Sequence, residues 1–210
     1  VYINTPVNSN LLIADDIIGF TSSLELTVLA LWAKQIPENS LAVEFGSFLG
    51  RSSKTIALNM PKSSTLFCID RFSNHYVDPI QPGQVKGDSI DNTGLLRVGD
   101  YIEMEKMFKY NLQDFPNVHM IKSEIPQELN NIIFNRPIDF FFLDFEHVNP
   151  IDRLVIDYCE KYFHSNTFLC GHDYSLTDFP DVVENVKYLA NKYKKTINLV
   201  PGGTSLWYLS

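Results

Sequence analysis

Residues 41–53 read LAVEFGSFLGRSS. An apolar run carries Glu44 and Phe45, then Gly46 and Gly50 stand four apart around Ser47, and Arg51, Ser52 and Ser53 open a helical pattern. That order predicts a buried strand, a tight turn and the first turn of a helix. Glycine in such a turn permits positive φ and a close approach of a ligand to the backbone. The spacing G-S-F-L-G-R-S departs from the dinucleotide fingerprint G-x-G-x-x-G and misplaces its second glycine for a pyrophosphate. Glu44, at the base of the turn, calls for a cationic neighbour such as an amino group rather than a diphosphate.

Working outward, strand-like and helical patterns alternate. Apolar runs at 65–70, 117–121, 138–144 and 167–170 read as strands. Helical periodicity covers 51–59, 101–112, a short stretch after Pro126, about 149–163 behind an Asn149-Pro150 cap, and 181–192. The run IDFFFLD at 138–144 is too apolar for a strand with one wet face and predicts a central parallel strand. Residues 196–200 and 205–209 are separated only by PGGT, too short for a parallel crossover, so they predict an antiparallel hairpin. The expected fold is α/β: a doubly wound, mostly parallel seven-stranded sheet with helices on both faces and a C-terminal antiparallel hairpin. Ser22-Ser23-Leu24-Glu25 is a capping box that opens a helix to about Lys34. Residues 1–39 are thus expected as a helical segment packed on a domain spanning 40–210. Residues 71–100, rich in proline, glycine and polar side chains, fit no regular element, and a lid insertion is expected over 71–116.

The 210 residues suffice for one sizeable domain with a full core. A net charge of −8 argues against a nucleic-acid partner, which needs clustered Lys and Arg. Lys192, Lys194 and Lys195 end a helix, where they complement its dipole. Cys68, Cys159 and Cys170 lack metal-ligand spacing, and Cys68 and Cys170 sit in strand-like runs as buried thiols. With no membrane-length apolar run and no signal-peptide pattern, the protein is expected in the cytoplasm, away from the membrane.

The second strand ends in Asp70, about twenty residues after Gly50, where a carboxylate can accept bonds from both hydroxyls of a ribose. VEFGSFLGRSS, CID at 68–70, IDFFFLDFEH at 138–147, GHDY at 171–174 and GTSLWYL at 203–209 together resemble a class I S-adenosylmethionine-dependent methyltransferase. The nearest group is the small methyltransferases related to sugar and macrolide O-methyltransferases. The resemblance spans roughly 40–210 and implies S-adenosylmethionine as cofactor. It further implies a cofactor loop of Glu44, Phe45, Gly46, Ser47, Gly50, Arg51 and Ser52, with Asp70 and Arg71 at the ribose. Ser123 and Glu124 would lie near the adenine, and Asp144 near the sulfonium.

The tips of the fourth and fifth strands carry Asp144, Glu146 and His147, and His172, Asp173 and Tyr174. Adjacent parallel strands bring these groups together beside the sulfonium. Methyl transfer from a sulfonium needs an aligned nucleophile that loses its proton. His147 and His172 can act as bases near neutral pH. Asp144 and Asp173 can instead hold Mg2+ and lower a hydroxyl's pKa. The histidine is preferred, because His172 stands where the metal site would want a carboxylate. Asp-Phe-Glu-His also replaces the family's glycine-rich DGDH. The expected partner is a small-molecule acceptor carrying a hydroxyl, and a homo-oligomer is compatible with the chain. An NAD-dependent oxidoreductase, a metal-dependent hydrolase using the Asp/His cluster, and a non-catalytic cofactor-binding module are the alternatives.

Overall fold

The structure, a computed structural model, describes residues 10–76 and 101–210. In chain order the elements are α1 (Ser23–Ala33), β1 (Leu41–Phe45), α2 (Arg51–Asn59), β2 (Thr65–Asp70), β3 (His75–Tyr76), β4 (Tyr101–Ile102), α3 (Met104–Asn111) and β5 (Val118–Lys122). They continue with β6 (Ile138–Leu143), α4 (Ile151–Cys159), β7 (Phe163–Gly171), α5 (Pro180–Tyr193), β8 (Ile197–Leu199) and β9 (Trp207–Leu209).

All five residues of β1 are buried, because parallel neighbours flank it and helices cover both faces. The two-residue period of a strand splits its side chains between two cores. Leu41, Val43 and Phe45 join Phe141, Leu143, Val155, Ile156, Leu189 and Trp207 under α4 and α5. Ala42 joins Leu66, Cys68, Phe140 and Phe142 with Leu29, Trp32, Ile56 and Phe108 of α1, α2 and α3. The three cysteines are buried and free.

Seven strands form one sheet in the order β5-β2-β1-β6-β7-β9-β8. β1, β2, β5, β6 and β7 pair in parallel, while β9 runs antiparallel between β7 and β8. The chain moves from β1 outward to β2 and β5, then returns to the other side of β1 as β6. The order therefore reverses between β1 and β6, and the crevice beyond their carboxyl ends is where ligands bind in open α/β sheets. The seven-stranded sheet and its terminal hairpin match the sequence expectation.

Local boundaries differ. Tyr101 and Ile102 pair with the 75–76 segment as a two-stranded ribbon, so the helix expected from 101 begins at Met104. A strand also lies within the stretch read as irregular. The rest of the expected lid, residues 77–100, falls outside the described residues. After Pro126 only one 3-10 turn forms, Leu129–Asn131. The helix expected to reach 163 ends at Cys159, followed by a 3-10 turn. Phe163 then pairs with Ile138, and Thr167 donates to the Ile138 carbonyl, so β7 starts four residues early. Asn149 does not cap α4: its backbone N–H donates to Asp181 and its side-chain oxygen accepts from Asn185.

Glu25 and Ser22 close the expected capping box of α1. Ahead of it the chain runs along α2. Ala14 N–H donates to Thr55, Asn59 bonds the backbone of Leu12, and Arg51 donates to the Ile17 carbonyl and pairs with Asp15 at 2.8 Å. Among the described residues no helix is long and apolar enough to cross a membrane.

Arg51→Gln should therefore loosen residues 12–18 and leave the sheet intact. Each lost charge-assisted bond is worth about 1.5–3 kcal/mol. Faster proteolysis within 12–18, with a lowered urea midpoint, is the expected result.

Candidate active site at the strand tips

Beyond β1 the chain turns at Gly46, whose φ is +87°. A Cβ built there would lie 1.6 Å from the Asp144 carbonyl oxygen, so only glycine lets the β1 and β6 exits approach this closely. Gly46 N–H donates to the Ile69 carbonyl and Asp144 N–H to that of Phe45, which locks three strand ends together. Gly50, at φ +90°, lies under Phe108 of α3 and Leu112 just after it. Beneath the turn, Glu44 is wholly buried and accepts from the hydroxyls of Ser47 and Ser53. Burial pushes the Glu44 carboxyl up against the opposing pull of the Ser52, Ser53 and Ser47 hydroxyls. Its neighbours in the chain are these hydroxyls, and among the described residues its Oε1 has no partner.

Asp70 ends β2 and is nearly buried. Each of its oxygens accepts one backbone N–H at 2.9 Å, from Phe48 and from Phe72. Both donors sit at positive φ, 45° and 44°, a strained conformation for phenylalanine. Next to it, Ser123 N–H donates to the Asp70 carbonyl, and the Ser123 hydroxyl is buried with no partner among the described residues. Arg71 and Glu124 are exposed at the same two tips.

At the ends of β6 and β7, Asp144, His147, His172 and Asp173 form one cluster. His147 Nε2 lies 2.8 Å from Asp173 Oδ2 and 3.3 Å from Asp144 Oδ1. His172 Nδ1 lies 3.2 Å from Asp173 Oδ1 and 3.8 Å from Asp144 Oδ1. Its Nε2 is 3.1 Å from Glu25 Oε1 and 3.0 Å from the Ser205 hydroxyl. His147 and Asp173 both hold positive φ, 63° and 58°, which bends the two tips toward each other. Burial works against a charged His147, but the bonds to Asp144 and Asp173 outweigh it and raise the pKa to about 10. Burial also opposes a charged His172, yet Asp144, Asp173 and Glu25 hold it well above its ordinary value. The same pairings pull Asp173 down against its own burial. Asp144, His147 and Asp173 each offer an atom within 4.8 Å of the others, close enough to share one metal ion.

The sequence-expected residues thus fall into three groups. Asp144, His147, His172 and Asp173 meet as expected, but the carboxylates raise the pKa of both imidazoles, and His172 has both nitrogens engaged by carboxylates. Gly46, Asp70 and Ser123 stand at the ends of β1, β2 and β5, and Gly50 is covered by Phe108 and Leu112. Glu44, Phe45, Ser47 and Ser52 are buried under the turn, where Phe45 packs against the rings of Phe141 and Phe145. Arg51 is turned away by its bonds to Asp15 and Ile17. Sequence reasoning passed over Glu25 as a site neighbour, because a capping box predicts only local partners. It also passed over Asp152, buried in the first turn of α4, whose Oδ1 has no partner among the described residues and whose pKa burial raises to about 6.

A family model described as a methyltransferase domain matches residues 43–174. Solved structures share the fold. One is an O-methyltransferase from Bacillus cereus in complex with SAH, 12% identical with a TM-score of 0.62 over 90% of this chain and 80% of that one. Another is a methyltransferase from Geobacter sulfurreducens, 18% identical, TM-score 0.60, over 90% and 78%. A precorrin-6y C5,15-methyltransferase from Geobacter metallireducens is 14% identical, TM-score 0.60, over 95% and 96%. A sequence search of curated proteins returns no match.

Gly46→Ala tests the close approach of the two tips. The strain of a non-glycine residue at this φ costs about 1–3 kcal/mol, and the collision with Asp144 adds to it. Chemical denaturation should show a loss larger than that range, or no folded protein. A loss below about 1 kcal/mol would mean that β1 and β6 separate freely.

Proposed function

Because the chain belongs to the family of methyltransferase domains, matched over residues 43–174, we propose that it transfers a methyl group from S-adenosylmethionine to a hydroxyl oxygen of a small molecule. One observation carries this reading: two half-sites meet at Asp144. Its carbonyl packs on the Gly46 turn, and its carboxylate faces His147 and His172. Methyl donor and acceptor must meet at such a junction for an in-line displacement.

The residues present fit the cofactor. An ionised carboxylate has about four acceptor positions, and Asp70 uses only one on each oxygen, which leaves room for ribose hydroxyls. The unpartnered Ser123 hydroxyl suits a polar group of the nucleoside, with Arg71 and Glu124 at its open side. Buried Glu44 holds the turn through Ser47 and Ser53. The SAH in the Bacillus cereus structure supports the same cofactor class here. Bound S-adenosylmethionine supplies an activated methyl group on a sulfonium. The chain's own residues align the acceptor and take its proton. The Asp144 carboxylate, between the Gly46 turn and the two imidazoles, takes the proton, and His147, paired with Asp173, keeps that carboxylate in place.

A second reading rests on the donor set Asp144, His147 and Asp173. A divalent cation there would displace the His147 proton. An imidazole donor suits Mn2+ or Zn2+ better than the Mg2+ expected from the sequence.

Calorimetry should detect S-adenosylhomocysteine binding and no heat with NAD. Asp70→Asn should weaken that binding by at least about 1.5 kcal/mol, the lower value for one charge-assisted bond. Unchanged affinity in the folded variant would remove Asp70 from the cofactor site.

The pH profile of methyl transfer to a panel of sugar and phenol acceptors separates the proton acceptors. Because His147 titrates near pH 10, it is an imidazolium below that value. Turnover should therefore stay level from pH 6 to 8 and fall as pH passes about 10. A neutral-imidazole base would instead make turnover climb toward pH 10. Loss of activity with a chelator, restored by Mn2+, would establish the cation.

A further inference from the structure

Glu25 is a buried carboxylate, 7% exposed, and a helix cap alone does not require its burial. Its Oε2 performs the cap, accepting from Ser22 N–H at 2.9 Å and the Ser22 hydroxyl at 2.8 Å. Its Oε1 faces the other way. There it accepts from Ser205 N–H at 3.1 Å, a residue 180 positions along the chain, and lies 3.1 Å from His172 Nε2. An exposed capping glutamate would leave Oε1 in water at no cost, whereas enclosing a carboxylate is costly unless its partners repay the lost solvation. The groups facing His172 are Glu25 from α1, Ser205 from the segment before β9, and Asp144 and Asp173 from the strand tips. With Nε2 held by Glu25 and Ser205, Nδ1 lies 3.2 Å from Asp173 Oδ1.

We propose that Glu25 is a positioning residue for methyl transfer, fixing the His172 ring and through it the Asp173 carboxylate against the reacting cluster. The inference rests on the reading of that cluster as the methyl-transfer site. Glu25 touches no reacting atom itself. It ties the start of α1 to the tip of β7, so the helix orients the site as well as covering the sheet. Replacing the carboxylate by an amide of the same shape preserves a capping acceptor but leaves one fewer acceptor for His172 and Ser205.

The test compares Glu25→Gln with Ser22→Ala, which weakens the same cap and leaves the Glu25–His172 pair alone. The first readout needs no substrate: histidine ring 15N and 13C resonances at one fixed pH. Glu25→Gln should shift the rings of both His172 and His147, the second through Asp173, while Ser22→Ala leaves both in place. The second readout is methyl transfer: Glu25→Gln should lower kcat about 10- to 100-fold, the scale of a small misplacement of reacting groups. S-adenosylhomocysteine affinity and acceptor KM should stay within about twofold, as a loss confined to the transition state requires. If Glu25→Gln does not fold, Glu25→Asp keeps the charge, shortens the reach and should give the same pattern. An unmoved His147 ring in a folded variant, or equal shifts in Ser22→Ala, would reduce Glu25 to a helix cap. Shifted rings without any methyl transfer in the wild type would leave the positioning intact and remove the reaction it was assigned to.

Discussion

The α-carbon of Gly46 rests against the Asp144 carbonyl, closer than any side chain permits. That approach sets where β1 and β6 release the chain, and both halves of the site depend on it. On one side it fixes the turn that buries Glu44 and leads into α2. On the other it fixes the direction in which Asp144 leaves β6. Because β1 and β6 flank the reversal of strand order, this close backbone approach coincides with the crevice that the topology provides.

The charged groups around Asp144 stand or fall together. Glu25, Asp144 and Asp173 contribute three carboxylates, while His147 and His172 contribute two imidazoles. Burial disfavours each charge separately. Pairing reverses that penalty, drawing Glu25 down to about 2 and His147 up to about 10. Removing any one member leaves its neighbour charged and enclosed, so the effects of substitutions here are not additive. The left-handed backbone at His147 and Asp173 persists because these pairings over-determine it.

The sheet was legible in the sequence because its signals are local. IDFFFL is apolar at both parities, which only a strand covered on both faces needs, and PGGT is too short to join parallel strands. The acidic tip of β2 and the Asp/His pairs of β6 and β7 were legible for the same reason: strand ends in register place their next residues together. What stayed hidden depends on distant partners or on backbone angles. Phe48 and Phe72 bind Asp70 through N–H groups that every non-proline residue has. Arg51 looked like a loop cation until Asp15 and Ile17, more than thirty positions earlier, claimed it. The raised pKa of His147 follows from two carboxylates brought within bonding distance, and no residue type announces it.

The hairpin has a temporal meaning. Trp207 of β9 packs on Gly171, its indole N–H donates to the His172 carbonyl, and Ser205 bonds the His172 ring. A chain made from its amino end folds its earlier parts first, so β1, β2, β5 and β6 can be in place while the outer edge of β7 still lacks its neighbour. His172 acquires its final surroundings only once residues 197–209 have left the ribosome. The parallel strands can therefore assemble before the Ser205 and Trp207 contacts of His172 form.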